Sequence, residues 1–349
     1  MAQDRTFEAP EPLKGGRLLA AALVLGLANF MVVLDTTIAN VSVPHIAGSL
    51  AVSPAQGTWV ITSYSVAEAI TVPLTGWLAA RFGAVRVFAF GMAGFGLFSM
   101  LCGLAPSFGL LVAMRVAQGL CGGPIMPMSQ TLLLHIFPRD KAPQALGMWS
   151  MTTVVAPIAG PILGGLISDN MHWSWIFFIN IPVAAAVGLG AYRMLIDHDT
   201  PSRVTPVDFV GLGLLVVWVG ALQIMLDKGK ELDWFGSPVI MMLAMVAAVG
   251  FCAFLIWELT AENPIVNLRV FRHRGFVVGV TTLSLTFGAF FASVVLVPLW
   301  LQTSMGYTAT WAGYAGSLNG ILAVMMSPIV AQLVSRFDAR ILTSFGVFW

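Results

Sequence analysis

Apolar stretches close to the roughly 20 residues that cross the hydrocarbon core of a bilayer recur all along this chain. They lie at about 18–39, 58–79, 85–105, 108–134, 145–168, 174–194, 208–227, 237–258, 275–302 and 309–333. Inside lipid a backbone must satisfy its own N–H and C=O groups, so stretches of this length fold as helices. The chain is therefore expected to be an all-α membrane protein with ten complete transmembrane helices. A further apolar run opens at Ile341 and reaches Trp349, too short to span, so an eleventh helix is expected to start there and the sequence reads as a fragment. Charge points the same way. Only 9% of the 349 residues are charged and 58% are hydrophobic, whereas a soluble domain carries about 25% charge. A surface facing water needs many ionic side chains, and a surface facing lipid tails needs few.

The connections between spans alternate in charge, because Lys and Arg resist translocation. Arg5, Lys14 and Arg17, then Arg81 and Arg86, Arg139 and Lys141, Arg193 and Arg203, Arg269, Arg272 and Arg274, and finally Arg336 and Arg340 fall on one set of connections. The other set, near 40–57, 105–107, 169–173, 228–236 and 303–308, holds only Lys228 and Lys230. The first set is assigned to the cytoplasm, which places the polar tail 1–17 inside. The run from Leu18 to Leu34 is too long for the apolar core of a cleavable signal and has no small-residue cleavage pattern after it, so it is expected to remain as the first helix. Trp59, Trp173, Trp175 and Trp234 sit at outer span edges, where amphipathic rings favour the headgroup region. Cys102, Cys121 and Cys252 lie in apolar runs without C-x-x-C spacing, which suits packing and implies neither a disulfide framework nor a zinc site.

Three ionisable residues fall well inside spans: Asp35, Glu68 and Arg115. An ion near the bilayer centre costs about 2.5–3.5 kcal/mol on insertion scales, so such residues face a bundle interior or a water-filled cavity and mark ion pathways. Asp35 sits in the polar segment Leu34-Asp35-Thr36-Thr37-Ile38-Ala39-Asn40. A carboxylate there suits proton binding, since burial and neighbouring charges set how readily it takes a proton. Arg115 is its natural partner, and a fixed ion pair between helices is the alternative. Glu68 shares its helix with Thr62, Ser63, Ser65 and Thr71. It reads equally as a second proton carrier, a contact for a cationic substrate or a packing carboxylate. Glycine and proline gather at Gly119, Gly122, Gly123, Pro124 and Pro127 and again over 157–165, where small residues let helices approach and proline bends them. The sequence holds no G-x-x-x-x-G-K-[ST] and no H-E-x-x-H, and His45, His135, His172, His198 and His273 stand singly. ATP hydrolysis and metalloprotease chemistry have no motif here, and neither metal nor cofactor is expected. Transport driven by an ion gradient remains.

These segments resemble the major facilitator superfamily, and within it the fourteen-helix drug:proton antiporters of the EmrB kind, over the whole chain from about Leu18. Residues 34–41 with Pro44 look like the first-helix signature of that branch. Gly76-Trp77-Leu78-Ala79-Ala80-Arg81-Phe82-Gly83 with Arg86 resembles the superfamily's loop motif between helices two and three. Ala80 stands where the family usually carries aspartate, so a charge lock at that position does not carry over. Arg115, Gln118, Gly119, Gly122 and Gly123 resemble the fourth-helix motif, whose arginine the family links to proton coupling. The segment 156–165, with Pro157, Gly160, Pro161, Gly164 and Gly165, is similar to the fifth-helix motif associated with antiporters, and 173–182 fits the fourteen-helix exporters. Glu68 belongs to no family motif.

The resemblance implies two six-helix bundles rocking about a central site, with two helices inserted between them. On that plan 1–17 is a cytoplasmic tail, 18–194 the first bundle, 195–207 a cytoplasmic linker, 208–258 the inserted hairpin, 259–274 a second linker and 275–349 the start of a second bundle, four of whose helices are wholly or partly missing. The implied function is proton-coupled export of amphipathic drugs or toxic compounds across a bacterial inner membrane by alternating access. Asp35, Arg115 and Glu68 would be the proton-coupling residues, and Gly76, Arg81, Gly83, Arg86, Pro157, Gly160, Pro161, Gly164 and Gly165 the residues of the conformational motifs. The proton gradient would be the energy source, and a periplasmic adaptor and an outer-membrane channel the partners. Export of one metabolite, lipid or siderophore is the alternative within transport. Outside it, a membrane-embedded enzyme using Asp35 and Arg115 and a non-transporting scaffold are the rivals.

Overall fold

The computed structural model describes residues 13–200, 206–307 and 337–348, with isolated positions between 322 and 333. Among the described residues the regular elements are helical. In chain order the α-helices are α1 (Gly15–Ser49), α2 (Pro54–Gly57), α3 (Trp59–Thr71), α4 (Thr75–Phe82), α5 (Ala84–Gly103), α6 (Phe108–Gly122), α7 (Ile125–Ile136), α8 (Ala142–Asn170), α9 (Trp175–Phe178), α10 (Asn180–Leu195), α11 (Phe209–Lys228), α12 (Pro238–Thr260), α13 (Arg274–Thr303) and α14 (Ala339–Phe348). Among the described residues seven stretches are long and apolar enough to cross a membrane: Gly15–Ser49, Ala84–Gly103, Phe108–Ile136, Ala142–Ser168, Trp175–His198, Phe209–Lys228 and Pro238–Thr260. The chain is thus a multi-pass membrane protein. Large apolar side chains cover its outside, Phe90, Phe209 and Leu283 among them, a surface suited to lipid tails.

The seven stretches correspond to the first and the third to eighth expected spans; the full count of ten is not given by helix length alone. The second span is interrupted. Pro73 offers no N–H, and the chain passes from α3 to α4 through a tightened turn in which Leu74 donates to the Thr71 carbonyl at 3.1 Å and Thr75 to that of Val72 at 3.2 Å. The ninth lies within α13 and the run opening at Ile341 within α14. The tenth, at 309–333, falls mainly outside the described residues.

Helix α1 packs against α8, α10 and α7, while α3 lies along α6 and α11. Side-chain hydrogen bonds stitch α1 to α8: Asn29 donates to Thr152 and Thr153, each at 2.7 Å, and Ser42 pairs with Ser168 at 2.8 Å. Among the described residues the interior holds three apolar clusters, a small one of Leu215, Val219 and Phe254 in the α11–α12 hairpin and two larger ones. Of the larger two, the first gathers Leu25, Met31, Phe88, Met92 and Ile136, the second Leu34, Ile46, Val60, Leu111 and Phe177. Two expectations need correction here. Trp173 is buried in the second cluster, edge-on to Phe177, so it packs instead of lying at a headgroup surface, whereas Trp175 and Trp234 are exposed. Cys102 is buried and Cys121 half-buried, but Cys252 is exposed on α12 and does not pack.

The hairpin of α11 and α12 docks on α3. Lys228, placed by the sequence on the connection near 228–236, ends α11 and is only 5% exposed. Its ammonium donates to the Ala55 carbonyl at 3.3 Å, to Thr58 and to Glu231 at 3.0 Å, and stands 5.4 Å from the centre of the Trp59 ring. The neighbouring Asp227 accepts a hydrogen bond from Thr62. Removing a buried donor of several bonds leaves its acceptors unpaired, at about 1–3 kcal/mol. Midway along the same interface a β-carbon on Gly220 would sit 4.0 Å from Val66. In a cysteine-free background of the full-length protein, Val66→Cys with Gly220→Cys should therefore cross-link on mild oxidation, and Lys228→Ala should lower the yield. Gel mobility reads both effects, and no cross-link in the parent pair would refute the docking.

Candidate functional site

Asp35 and Arg115 meet in the interior. Both are buried, at 2% and 0% exposure, and one guanidinium nitrogen, Nη1, lies 2.6 Å from Asp35 Oδ2. Two charges taken out of water lose hydration that their mutual attraction restores only when the remaining lone pairs and hydrogens are also matched. That matching is extensive. The other carboxylate oxygen, Oδ1, accepts from Asn180 Nδ2 at 2.6 Å and Gln118 Nε2 at 3.2 Å. Arg115 donates from Nη1 to Gln118 Oε1 at 2.9 Å and from Nε to the Val60 carbonyl at 2.9 Å. Its guanidinium carbon stands 4.2 Å from the centre of the Tyr64 ring and 5.5 Å from that of Phe177, within the range where aromatic faces attract a cation. Its second terminal nitrogen, Nη2, is buried without a hydrogen-bond partner among the described residues.

Local sequence explains why these groups can meet. Gly119, one turn after Arg115, has no room for a β-carbon, which would overlap the Tyr64 carbonyl; one on Gly122 would lie 2.8 Å from the Tyr64 hydroxyl, and one on Gly123 would overlap Thr71. The glycine stripe of α6 is thus the surface along which α3 lies, and it brings Val60 and Tyr64 within reach of Arg115. On the other side, a β-carbon at Gly160 would overlap Thr37 and one at Gly164 would lie 3.1 Å from the Ile38 carbonyl. Two residues of the glycine-proline segment in α8 therefore hold α1 close, two and three residues beyond Asp35. Gly165 and Gly76 have open space, and Pro161 is exposed while Pro157 is half-buried.

Glu68 stands one turn beyond Tyr64 on α3, half-buried. It lies outside the hydrogen-bonded cluster but near enough for its charge to act on Arg115 and Asp35. The loop residues form a separate group away from the ion pair. Gly83 takes a positive φ of 90°, and a β-carbon there would overlap the Asp199 carboxylate. Asp199 Oδ1 accepts the Val85 N–H at 2.8 Å, Thr200 accepts that of Ala84 at 2.9 Å, and Arg86 is 3.6 Å from Asp199 Oδ2. An acid at this helix N-terminus also opposes the positive end of its dipole. Acidic capping of this turn comes from the segment after α10, not from position 80, where Ala80 is exposed. Arg81 lies over the Trp77 and Phe82 rings at 5.5 and 5.7 Å.

Sequence reasoning missed Asn180 as a contact of Asp35, although an amide inside the apolar run 174–194 is itself a costly placement that signals a partner. It also passed over Glu258, buried at the end of α12 with Oε2 accepting the Val266 N–H at 3.0 Å.

The site is a hydrogen-bonded ion pair enclosed by the apolar helices of a multi-pass membrane protein. Residues 25–348 match the family model of the Major Facilitator Superfamily, and the chain belongs to that family. It is 50% identical to the multidrug export protein EmrB of Escherichia coli K12 over 340 residues, 97% of this chain and 66% of that protein. It is also 50% identical to the fatty acid resistance protein FarB of Neisseria gonorrhoeae over 333 residues, 95% of this chain and 66% of that one. The chain thus spans just under two thirds of the length of these relatives. In fold it is similar to the proton:xylose symporter XylE, with a TM-score of 0.61 at 13% identity over 92% of this chain and 70% of that one. A similar likeness holds to a peptide transporter POT, with a TM-score of 0.60 at 13% identity over 95% and 71% of the two chains.

The close approach of α8 to α1 has a measurable consequence. Gly160→Ala forces Thr37 away and should cost the full-length protein about 1–3 kcal/mol, as overpacking does, whereas Gly165→Ala should stay within about 0.5 kcal/mol. Thermal melting of the two variants in detergent separates them.

Proposed function

We propose that this chain is the larger part of a proton-coupled exporter of amphipathic compounds, working by alternating access in a bacterial inner membrane with its N-terminus in the cytoplasm. The reading rests on the buried Asp35–Arg115 pair, with the family and the 50% identity to a multidrug export protein as support. In it, ten helices cross the membrane and an eleventh begins near Ile341. Residues 18–194 form a first six-helix bundle, 208–258 an inserted hairpin and 275–349 the start of a second bundle. A proton arriving at Asp35 neutralises the carboxylate and leaves the Arg115 charge without its counter-ion, so the arrangement stable with Asp35 ionised is no longer the favoured one. Glu68 is the nearby carboxylate that can then balance Arg115. Gly83 and Arg86, tied to Asp199, link the loop between α4 and α5 to the end of the first bundle, and Gly160 and Gly164 let α1 and α8 shift against each other. The proton gradient supplies the energy, and a periplasmic adaptor and an outer-membrane channel complete the path outward.

A second substrate class is favoured by the equal identity to a fatty acid resistance protein: amphipathic anions, fatty acids in particular. Everted vesicles carrying the full-length protein test both. Substrate-evoked proton release should appear with either a lipophilic cationic dye or a long-chain fatty acid, and should fall to the level of empty vesicles in Asp35→Asn at matched abundance. Release that persists in the variant removes Asp35 from coupling, and no release in the parent with any such compound overturns proton-coupled export.

A further inference from the structure

We propose that Asn180 and Ser99 form the element that senses protonation of Asp35, by reversing the direction of a short hydrogen-bond chain. The proposal rests on the reading of Asp35 as the proton carrier.

Donor and acceptor roles in the cluster follow from chemistry. The Ser99 hydroxyl lies 2.9 Å from the Phe177 carbonyl, which only accepts, so its one hydrogen is spent there. Towards Asn180, 3.1 Å away, Ser99 can then only accept, and the atom of Asn180 that faces it must be Nδ2. The same Nδ2 is 2.6 Å from Asp35 Oδ1. Gln118 is oriented just as firmly. Its Oε1 accepts from Arg115 Nη1 and is 3.6 Å from the Cys102 sulfur, so its Nε2 faces Asp35 Oδ1. Asp35 Oδ2 faces Arg115. All three neighbours of the carboxylate are therefore donors, and a proton placed on it finds no acceptor.

Protonation then requires one neighbour to turn round. Arg115 has no acceptor to offer, and Gln118 is held by that same always-charged donor. Asn180 is held only by a hydroxyl, and a hydroxyl rotates. With its amide turned, Asn180 presents Oδ1 to the Asp35 O–H, and Ser99 swings its hydrogen from the Phe177 carbonyl to Asn180 Oδ1. Both residues are almost completely buried, at 1% and 0% exposure, which keeps bulk water from replacing either bond. The Phe177 carbonyl, at the break between α9 and α10, loses its side-chain donor when the proton arrives. The charged or titratable groups facing Asp35 from the elements around it are Arg115 on α6, Tyr64 and Glu68 on α3 and Cys102 on α5; α10 contributes Asn180, and the membrane-spanning part of α8, 142–168, has no titratable side chain. None besides Asn180 combines contact with Asp35 and a reversible partner.

Infrared difference spectra of the purified full-length protein, recorded as pH is varied, test this without requiring transport. A carboxylic acid C=O band absent from Asp35→Asn reports protonation of Asp35. Its midpoint should move to higher pH by about one unit in Asn180→Leu, which removes a donor to the ionised form. It should move in the same direction in Ser99→Ala, where the Phe177 bond no longer opposes the turn. The double variant should shift no further than Asn180→Leu, since both act on one chain, and Ser99→Thr, which keeps the hydroxyl, should restore the parent midpoint. A band present in the parent whose midpoint stays fixed in Ser99→Ala, with melting showing that the variant folds, overturns the sensor and leaves Asn180 as a structural tie. No band lost in Asp35→Asn instead refutes Asp35 as the proton carrier, and the sensor with it.

Discussion

Asp35 and Arg115 stay inside an apolar bundle because both oxygens of the carboxylate and two of the three guanidinium nitrogens are matched, and much of the rest of the structure serves that condition. Four helices supply the matching groups: α1 the carboxylate, α6 the guanidinium and Gln118, α3 the Val60 carbonyl and the Tyr64 ring, and α10 the amide of Asn180. The cluster lies between the two larger apolar cores, with Tyr64 belonging to one and Phe177 to the other. A change of charge at Asp35 is therefore felt by helices on every side, which is what coupling an ion to a rearrangement of helices requires.

Close helix approach is the means by which so many groups reach one point. In lipid no hydrophobic force drives helices together, so packing contacts and hydrogen bonds carry the association. The glycines of α6 admit α3, those of α8 admit α1, and the Asn29 and Ser42 bonds hold α1 against α8 along its length. The same logic operates outside the central cluster. Lys228 ties the end of α11 to the Ala55 carbonyl, the Thr58 hydroxyl and the face of Trp59 at the start of α3, so the hairpin is fastened there at a point far along the chain from its partner. At the other end of α3–α4, the Asp199 carboxylate accepts the Val85 N–H at the start of α5 and lies beside Arg86.

Much of this was legible in the residues. Apolar length and the scarcity of charge required a helical membrane protein, because lipid offers the backbone no other partner. Asp35 and Arg115 stood out because an ion in a span is expensive, and opposite sign made them partners. The glycine and proline segments announced close packing. The least legible groups were those whose cost is modest or whose neighbours lie far along the chain: Asn180, 145 positions from Asp35, Ser99 behind it, and Asp199 beneath Gly83. An isolated amide or hydroxyl in an apolar run signals that a partner exists but not which one. Trp173 misled for the same reason, since position at the end of a span does not say whether another helix covers it.

The sequence by itself determined the solvent of this protein, the helical state of its spans and the presence of buried opposite charges, because each depends on the local cost of placing a residue in lipid. Only the tertiary structure decided which helices meet, which oxygen of Asp35 faces which donor, and where the acid that caps the α5 turn comes from. Those outcomes depend on distances between segments up to 173 positions apart, as between Lys228 and Ala55, and no local cost encodes them.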